Sequence, residues 1–436
     1  MTDDTATYQL KVRELLAEAE RMQREGDSEK AGQLYRRLVS LALEKGGGQE
    51  EIIFALLRLG DIYAEGSNEQ LALECYRDAE QRAAEIGFTQ GVLDCIQRRG
   101  TTHVIAGRWT EGAKVAAEGR ELAHNLDDKA FEAVFLGLLG QIERRLGNHD
   151  HALECAFEGL QISQLMGNLD EELTFLADMA LISLGKQDFD GARRQADSGL
   201  RRAQETGKLD RCAVFLGQKC HALRGLGDIE GARKCAQEGL ESATEGNDRK
   251  EIATFRHDLA LLAQESGDTE GAKENSLEAY KLFLEMGNKE GALTSLRCLS
   301  LVFADMGDWE AAFKGLIDGL VLAASMDRRL FMGTFLDVGS ITHRLWLNKR
   351  YEDILHGMDL MDEFFASLEK QLEEQSGEET YLTYLKLILD CLRNIGMSRG
   401  DSTSSHVERA REIAGEIDGA IGAGMQPLIT EFFDKA

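Results

Sequence analysis

The sequence predicts an all-α chain, a solenoid of stacked antiparallel helix pairs, and three observations carry the prediction. A Gly-Asp or Gly-Asn turn recurs about every forty residues, at Gly26-Asp27, Gly66-Ser67-Asn68, Gly147-Asn148, Gly227-Asp228, Gly267-Asp268 and Gly307-Asp308. Gly107-Arg108-Trp109 and Lys186-Gln187-Asp188 are weaker members. Five to six residues after each turn stands a small residue: Ala31, Ala72, Ala113, Ala152, Ala192, Ala232, Ala272 and Ala312. A second column of helix stops runs in phase at Gly87, Gly167, Gly207, Gly246 and Gly287, with Asp127 and Asp327 filling the gaps. A period of this size marks stacked supersecondary units. The third observation is that Pro427 is the single proline in 436 residues. Proline breaks helix interiors, so its absence from the body of the chain suits continuous helix.

One unit, residues 129–167, shows why the elements form. Phe131, Phe135, Leu138, Leu139 and Ile142 recur at three- and four-residue spacing, which predicts an amphipathic helix from Lys129 to Leu146. Gly147 ends it by taking the left-handed conformation, and Asn148 is expected to cap the next helix through its side-chain oxygen. That second helix carries Ala152, Cys155, Ala156, Leu160 and Ile162 and stops at Gly167. Acidic residues after the turns (Asp150, Glu230, Glu270, Glu310) suit the positive end of the helix dipole. Neither helix buries its stripe alone, whereas stacked neighbours do. Mid-helix glycines at Gly159, Gly199, Gly239 and Gly319 form another column. Each costs about 1 kcal/mol against alanine, so their recurrence predicts close backbone approach.

Composition excludes several functions. The net charge is -27, from 77 acidic against 50 basic side chains. Nucleic acid demands a dense basic surface, and an anionic membrane also prefers one, so neither is expected as a partner. The eight cysteines show no CxxC pair and no zinc-finger spacing. Cys75, Cys155 and Cys235 share one column and read as small buried residues of a reducing compartment. With no long apolar run and no signal-peptide pattern, the cytoplasm is the expected location.

The segments Leu139-Gly140-Gln141, Leu146-Gly147-Asn148 and Ala152 resemble the tetratricopeptide repeat, whose motif runs Leu-Gly-x-x-Tyr, then Leu-Gly-Asp, then Ala. Leu59-Gly60-Asp61-Ile62-Tyr63 matches it most closely, and Leu299-Ser300-Leu301-Val302-Phe303 with Met306-Gly307-Asp308-Trp309 is another copy. The motif usually ends with proline. Here Gly-Asn or Gly-Lys stands there at a 40-residue period, similar to the Pins/LGN family of polarity scaffolds and to bacterial peptide-sensing and scaffold proteins. The resemblance implies a right-handed superhelical α-solenoid with about nine helix pairs over residues 8–370. Residues 371–436 are then a divergent helical region, which either caps the array or docks a partner. Within it, residues 380–396 are predicted as an amphipathic helix and Ser398 to Ser405 as a loop, with two helices following.

No catalytic motif rises above background: the chain has no phosphate loop, no HExxH and no Gly-x-Ser-x-Gly. No cofactor and no metal are expected. His149 and His151 flank Asp150 at a helix start, where side chains two apart do not share a face, so a solvated turn is expected there. Trp109, Phe189 and Trp309 follow inter-helix turns and read as staples.

The resemblance puts the first helix of each pair on the inner groove. The ligand-binding positions expected there are Gln97, Thr101, Gln141, Arg144, Arg145, His221, Arg224, His257, Gln264 and Arg297. Arginine forks suit carboxylate or phosphate, so an extended acidic segment or a C-terminal carboxylate is the expected guest. The family's asparagines at the inner Leu-Gly-Asn position are mostly replaced here by Asp61, Gln141, Leu181, His221, Leu261 and Leu301. Leu181, Leu184, Leu261 and Leu301 serve either an apolar strip or the core.

Three functions fit these residues. The leading one is a non-enzymatic scaffold that binds a peptide or extended protein segment in its groove. A peptide-responsive regulatory sensor is the second, although its usual N-terminal output domain has no room before residue 8. Self-association of terminal helices into a structural scaffold is the third.

Overall fold

The forty-residue period lands on helix ends throughout the computed structural model, which describes residues 2–45, 48–326, 328–372, 379–401 and 403–421. Those residues hold twenty helices and no strand. They divide into two compact units, Met1–Leu226 and Gly227–Ala436. The first unit opens with α1 (Thr2–Arg24) and α2 (Ser28–Lys45), then α3 (Gln49–Glu65) and α4 (Glu69–Glu85). It continues with α5 (Thr89–Ile105) and α6 (Trp109–Asn125), α7 (Lys129–Leu146) and α8 (His149–Met166), α9 (Leu169–Gly185) and α10 (Phe189–Glu205), and ends in α11 (Leu209–Gly225). The second holds α12 (Ile229–Glu245), α13 (Arg249–Glu265), α14 (Thr269–Glu285), α15 (Lys289–Asp305) and α16 (Trp309–Ala324). It then adds α17 (Arg328–Leu347), α18 (Tyr351–Leu372), α19 (Glu379–Ser398) and α20 (Ser405–Ile421). Asp327 and Pro427 lie outside the described residues, as does the segment 373–378.

The turns work through a repeated Schellman closure. Gly147 takes φ 84°, and the Asn148 N–H donates back to the Glu143 carbonyl at 2.8 Å. In two of the columns the left-handed residue is not the glycine expected. Ser67 (φ 57°) takes it after Gly66, and Asn247 (φ 52°) takes it after Gly246. Caps at the following helices come from Asp128, Asn168, Asp188, Asp228, Asp248, Asp268, Asn288 and Asp308, each accepting from a backbone N–H in the first turn. Asn68 and Asn148 are exceptions that make no side-chain cap, and the Asn148 amide donates instead to Glu143 Oε2 at 2.8 Å.

Within each unit the two helix layers pack differently. The odd-numbered helices touch one another directly, α3 on α5, α5 on α7, α7 on α9 and α9 on α11 in the first unit, α13 on α15, α15 on α17 and α17 on α19 in the second. Of the even-numbered helices, only α16 and α18 pack closely in this way among the described residues. Closer spacing on one side curves a stack toward that side, so the odd-numbered helices form the inner layer.

The mid-helix glycines are explained by rings rather than by backbone contact. A Cβ on Gly119, Gly159, Gly199 or Gly239 would come within 2.1–2.4 Å of the ring of Phe135, Phe175, Phe215 or Phe255, each sixteen residues further on. At Gly319 the nearest atom is instead Thr334 Cγ2, at 3.2 Å. The alanine column is fully buried at Ala31, Ala72, Ala152, Ala192, Ala232, Ala272 and Ala312. Ala113 is only half-buried, and Gly112 occupies the column at that level, close to Val104 and Ile142.

All eight cysteines are free, and all but Cys75 are buried. Burial pushes the thiols of Cys75 and Cys155 up to about 11 and that of Cys95 up to about 12. They are packing residues without thiolate character at neutral pH. At the other end of the chain, α19 and α20 bury Ile388, Leu389, Leu392, Val407 and Ile413 in one core with Phe313, Phe335 and Phe365.

Candidate functional site

The inner layer of the first unit carries an exposed column set between buried residues. Thr101, Gln141, Leu181 and His221 stand forty residues apart on α5, α7, α9 and α11, and all four are exposed. The same column in the second unit is half-buried at Leu261 and Leu301, which pack against the core, and fully buried at Ile341. Leu181 is therefore the exposed member of the four leucines, with Leu184 half-buried.

Beside that column the neighbouring inner helices are linked by polar rungs one repeat long. In the first unit Arg98 on α5 pairs with Asp61 on α3, and the Tyr76 hydroxyl donates to the same carboxylate at 2.9 Å. Gln218 Nε2 on α11 donates to the Ala177 carbonyl on α9 at 2.9 Å. Between α7, α9 and α11, the Asp178 carboxyl is pushed up to about 6 by burial, with Arg144 and Arg211 pulling it the other way. Arg144 is itself held below the usual guanidinium range by burial and by its neighbour Arg145. In the second unit, Gln264 Nε2 donates to Asp305 at 2.8 Å, and Arg344 pairs with that carboxylate too. Arg297 pairs with Asp337 at 2.5 Å and donates to the Gly333 carbonyl at 3.3 Å. Ser295 Oγ lies 3.4 Å from His257 Nδ1.

These rungs sort the ten expected positions. Gln97, Thr101, Gln141, Arg144, Arg145, His221 and Arg224 belong to the first unit, and His257, Gln264 and Arg297 to the second. Thr101, Gln141, Arg145 and His221 are exposed, whereas Gln97, Arg144 and Arg224 are half-buried. His257, Gln264 and Arg297 are half-buried and their polar atoms engage neighbouring inner helices. The rungs were readable as opposite charges one repeat apart, as in Asp61 with Arg98 or Arg297 with Asp337.

The residues after the turns form a staple column. The Phe189 ring lies over Gly225, where a Cβ would come within 2.4 Å, and the Arg145 guanidinium stands 5.9 Å from the Trp109 ring centre. His149 occupies the same column. Its ring lies over Gly185, a Cβ there coming within 3.1 Å, and its Nδ1 is buried without a hydrogen-bond partner. His149 is thus a packed ring and not a solvated turn residue, while the exposed His151 lies 3.3 Å from Glu143. Among the described residues no group of three or more His, Cys, Asp or Glu could hold a metal ion. No described helix is long and apolar enough to cross a membrane.

A groove of about 650 Å³ opens on the first unit between α1, α3, α5 and α7. Leu16, Ile53, Phe54, Leu57, Phe88 and Phe131 supply its apolar wall, and Glu50, Glu51 and Asp94 are the charged residues on it. Sequence reasoning missed this groove. Its signal was the run of aromatic residues near the starts of successive inner helices.

No family model matches the chain, and no curated protein matches it. Among solved structures it is similar to a signal-transduction ATPase with numerous domains and a tetratricopeptide repeat sensor, from Pyrococcus horikoshii. That match has a TM-score of 0.52 and 16% identity, covering 82% of this chain and 55% of the other. The apo form of RapI matches with a TM-score of 0.49 and 13% identity, over 63% of this chain and 99% of that one. A Rap protein complexed with competence and sporulation factor matches at 0.46 and 13%, over 81% and 100%. The chain spans about half the length of the ATPase, at 55%. Identity at this level speaks to fold alone. With the helix order and inner-layer stacking above, it identifies the fold as the α-solenoid of tetratricopeptide-repeat proteins.

Proposed function

We propose that the chain is a non-enzymatic interaction scaffold whose first unit holds a peptide or extended protein segment along its inner face. The observation that carries this reading is the exposed column Thr101, Gln141, Leu181 and His221, each flanked by buried residues, on α5, α7, α9 and α11. A fold that ties inner helices together through Arg98–Asp61 and Gln218–Ala177 holds such a column rigid, which lowers the cost of ordering a guest. Arg144 and Arg145 sit beside Gln141 at the end of α7 and supply the cationic contact for an acidic guest. In the second unit Arg297 is already occupied by Asp337, which leaves the first unit as the stronger candidate for binding.

The test is selection of a displayed library of twelve-residue peptides on the full chain, beside an Arg144→Glu/Arg145→Glu variant. Acidic peptides that bind the wild type and bind the variant at least tenfold more weakly are the expected result. Recovery of no peptide would remove the reading, and recovery of acidic peptides held equally by both proteins would remove the role of Arg144 and Arg145 in it.

A further inference from the structure

The groove between α1, α3, α5 and α7 has the opposite charge character to the end of α7. Its apolar wall includes Phe88, 42% exposed although it is a large aromatic residue. The Phe88 ring lies over Gly91, where a Cβ would come within 2.3 Å, so the glycine lets the ring settle into the groove instead of standing clear of it. Phe54 forms a further part of the wall, with Arg58 stacked 5.1 Å from its ring centre. All three charged lining residues are acidic. Asp94 is paired with Arg98 at 3.1 Å, whereas Glu50 and Glu51 form no ion pair among the described residues. Arg58 leans toward Asp61 at 3.8 Å, along the helix and away from Glu50 and Glu51, and Arg82 donates to Gln49 Oε1 at 3.3 Å.

We infer that this groove docks a basic, apolar segment of a partner protein: a Leu, Met or aromatic side chain set between Phe54, Leu57 and Phe88, with a Lys or Arg within two residues meeting Glu50 and Glu51. Charge complementarity selects that occupant, since an acidic or purely apolar segment would leave two carboxylates facing either like charge or no partner. Phe54 and Leu57 lie one and two turns after Glu50 on α3, and Asp61 follows on the same stripe, so the groove continues the inner face. The inference rests on the reading that the inner face of the first unit is the binding surface. It adds a polarity to the guest, basic toward α3 and acidic toward the end of α7.

The same twelve-residue library is selected on the full chain, and the recovered peptides are rebound to three variants. Glu50→Lys/Glu51→Lys reverses the charge, Glu50→Gln/Glu51→Gln removes it, and Phe88→Ser removes an exposed ring; circular dichroism checks that each is folded. The expected result is enrichment of peptides pairing an apolar residue with Lys or Arg. These should bind the reversed variant at least tenfold more weakly, the neutral variant by an intermediate factor, and Phe88→Ser several-fold more weakly, with weakening as salt rises. Enrichment only of acidic peptides that depend on Arg144 and Arg145 would overturn this inference and leave the inner-face reading standing. Apolar-basic peptides held equally by all variants would also overturn it, and recovery of no peptide would overturn both.

Discussion

The ring of Phe215 on α11 lies against Gly199 on α10 so closely that a Cβ on the glycine would come within 2.1 Å of it. The relationship recurs at Gly119 with Phe135, Gly159 with Phe175 and Gly239 with Phe255. Where the helix carries alanine instead, the residue sixteen further on is small: Ala79 goes with Cys95 and Ala279 with Ser295, all four buried. Volume is thus conserved across the position while its division between the two helices changes, as close packing requires.

Gly199→Ala should therefore destabilise the first unit even though alanine is the better helix former. The propensity gain is about 1 kcal/mol, and forcing a methyl into a filled site costs about 1–3 kcal/mol. Phe215→Cys alone should cost about 3–5 kcal/mol through the cavity it leaves. The double variant reproduces the pairing at Ala79 and Cys95, and should recover roughly 1–2 kcal/mol relative to the sum of the single changes. Urea unfolding of the four proteins checks this, and strict additivity would refute it.

How much was legible in advance follows from which interactions are local. Turns, helix ends and the alanine column are set within a few residues, and the boundaries of α7 at Lys129 and Leu146 could be read off the stripe and Gly147. Asn148 shows the limit: asparagine at an N-cap position prefers to cap, but Glu143 five residues earlier captured its amide. The glycine column was visible while its cause was not, because the Phe at sixteen residues lies on another helix. The arginines of the inner helices are visible in the sequence, but the partner of Arg297 stands one repeat away at Asp337. The apolar groove was missed for the same reason, since four helices contribute to it.

Asp178 should make stability fall as pH rises. Burial raises its folded-state pKa from 3.8 to about 6, against the pull of Arg144 and Arg211. A raised carboxyl binds its proton more tightly in the folded state, so its contribution is complete below pH 3.8 and lost as pH passes through about 6. The loss for this half-buried group is on the order of 2 kcal/mol. Asp178→Asn should flatten the profile between pH 4 and 7 relative to wild type. Thermal unfolding across that range reads it, and parallel profiles would show that Asp178 titrates normally.

Arg297 and Arg145 should separate stability from binding. Arg297 is clamped between Asp337 and the Gly333 carbonyl, and Asp337 is only 16% exposed. Arg297→Ala strands that carboxylate and should cost about 1–3 kcal/mol. Arg145 is exposed above Trp109, so Arg145→Ala should cost about 0.5–1 kcal/mol. Acidic peptides recovered by selection should show the reverse order, losing more affinity with Arg145→Ala. A stability loss at Arg145 as large as that at Arg297 would contradict the assignment.

The caps give the sharpest local contrast, because two residues of similar chemistry at equivalent turns do different work. Asp268 accepts a hydrogen bond from the Gly271 N–H at 3.0 Å and closes the start of α14. Asn148 stands at the start of α8 without capping it. Asp268→Ala should lose about 1 kcal/mol, the usual worth of an N-cap, and protection from hydrogen exchange should fall in the first turn of α14. Asn148→Ala loses only an exposed contact with Glu143 and should cost a few tenths of a kcal/mol, leaving exchange at the start of α8 unchanged. Equal losses at both sites would mean that Asn148 caps α8 in solution, with its amide released from Glu143.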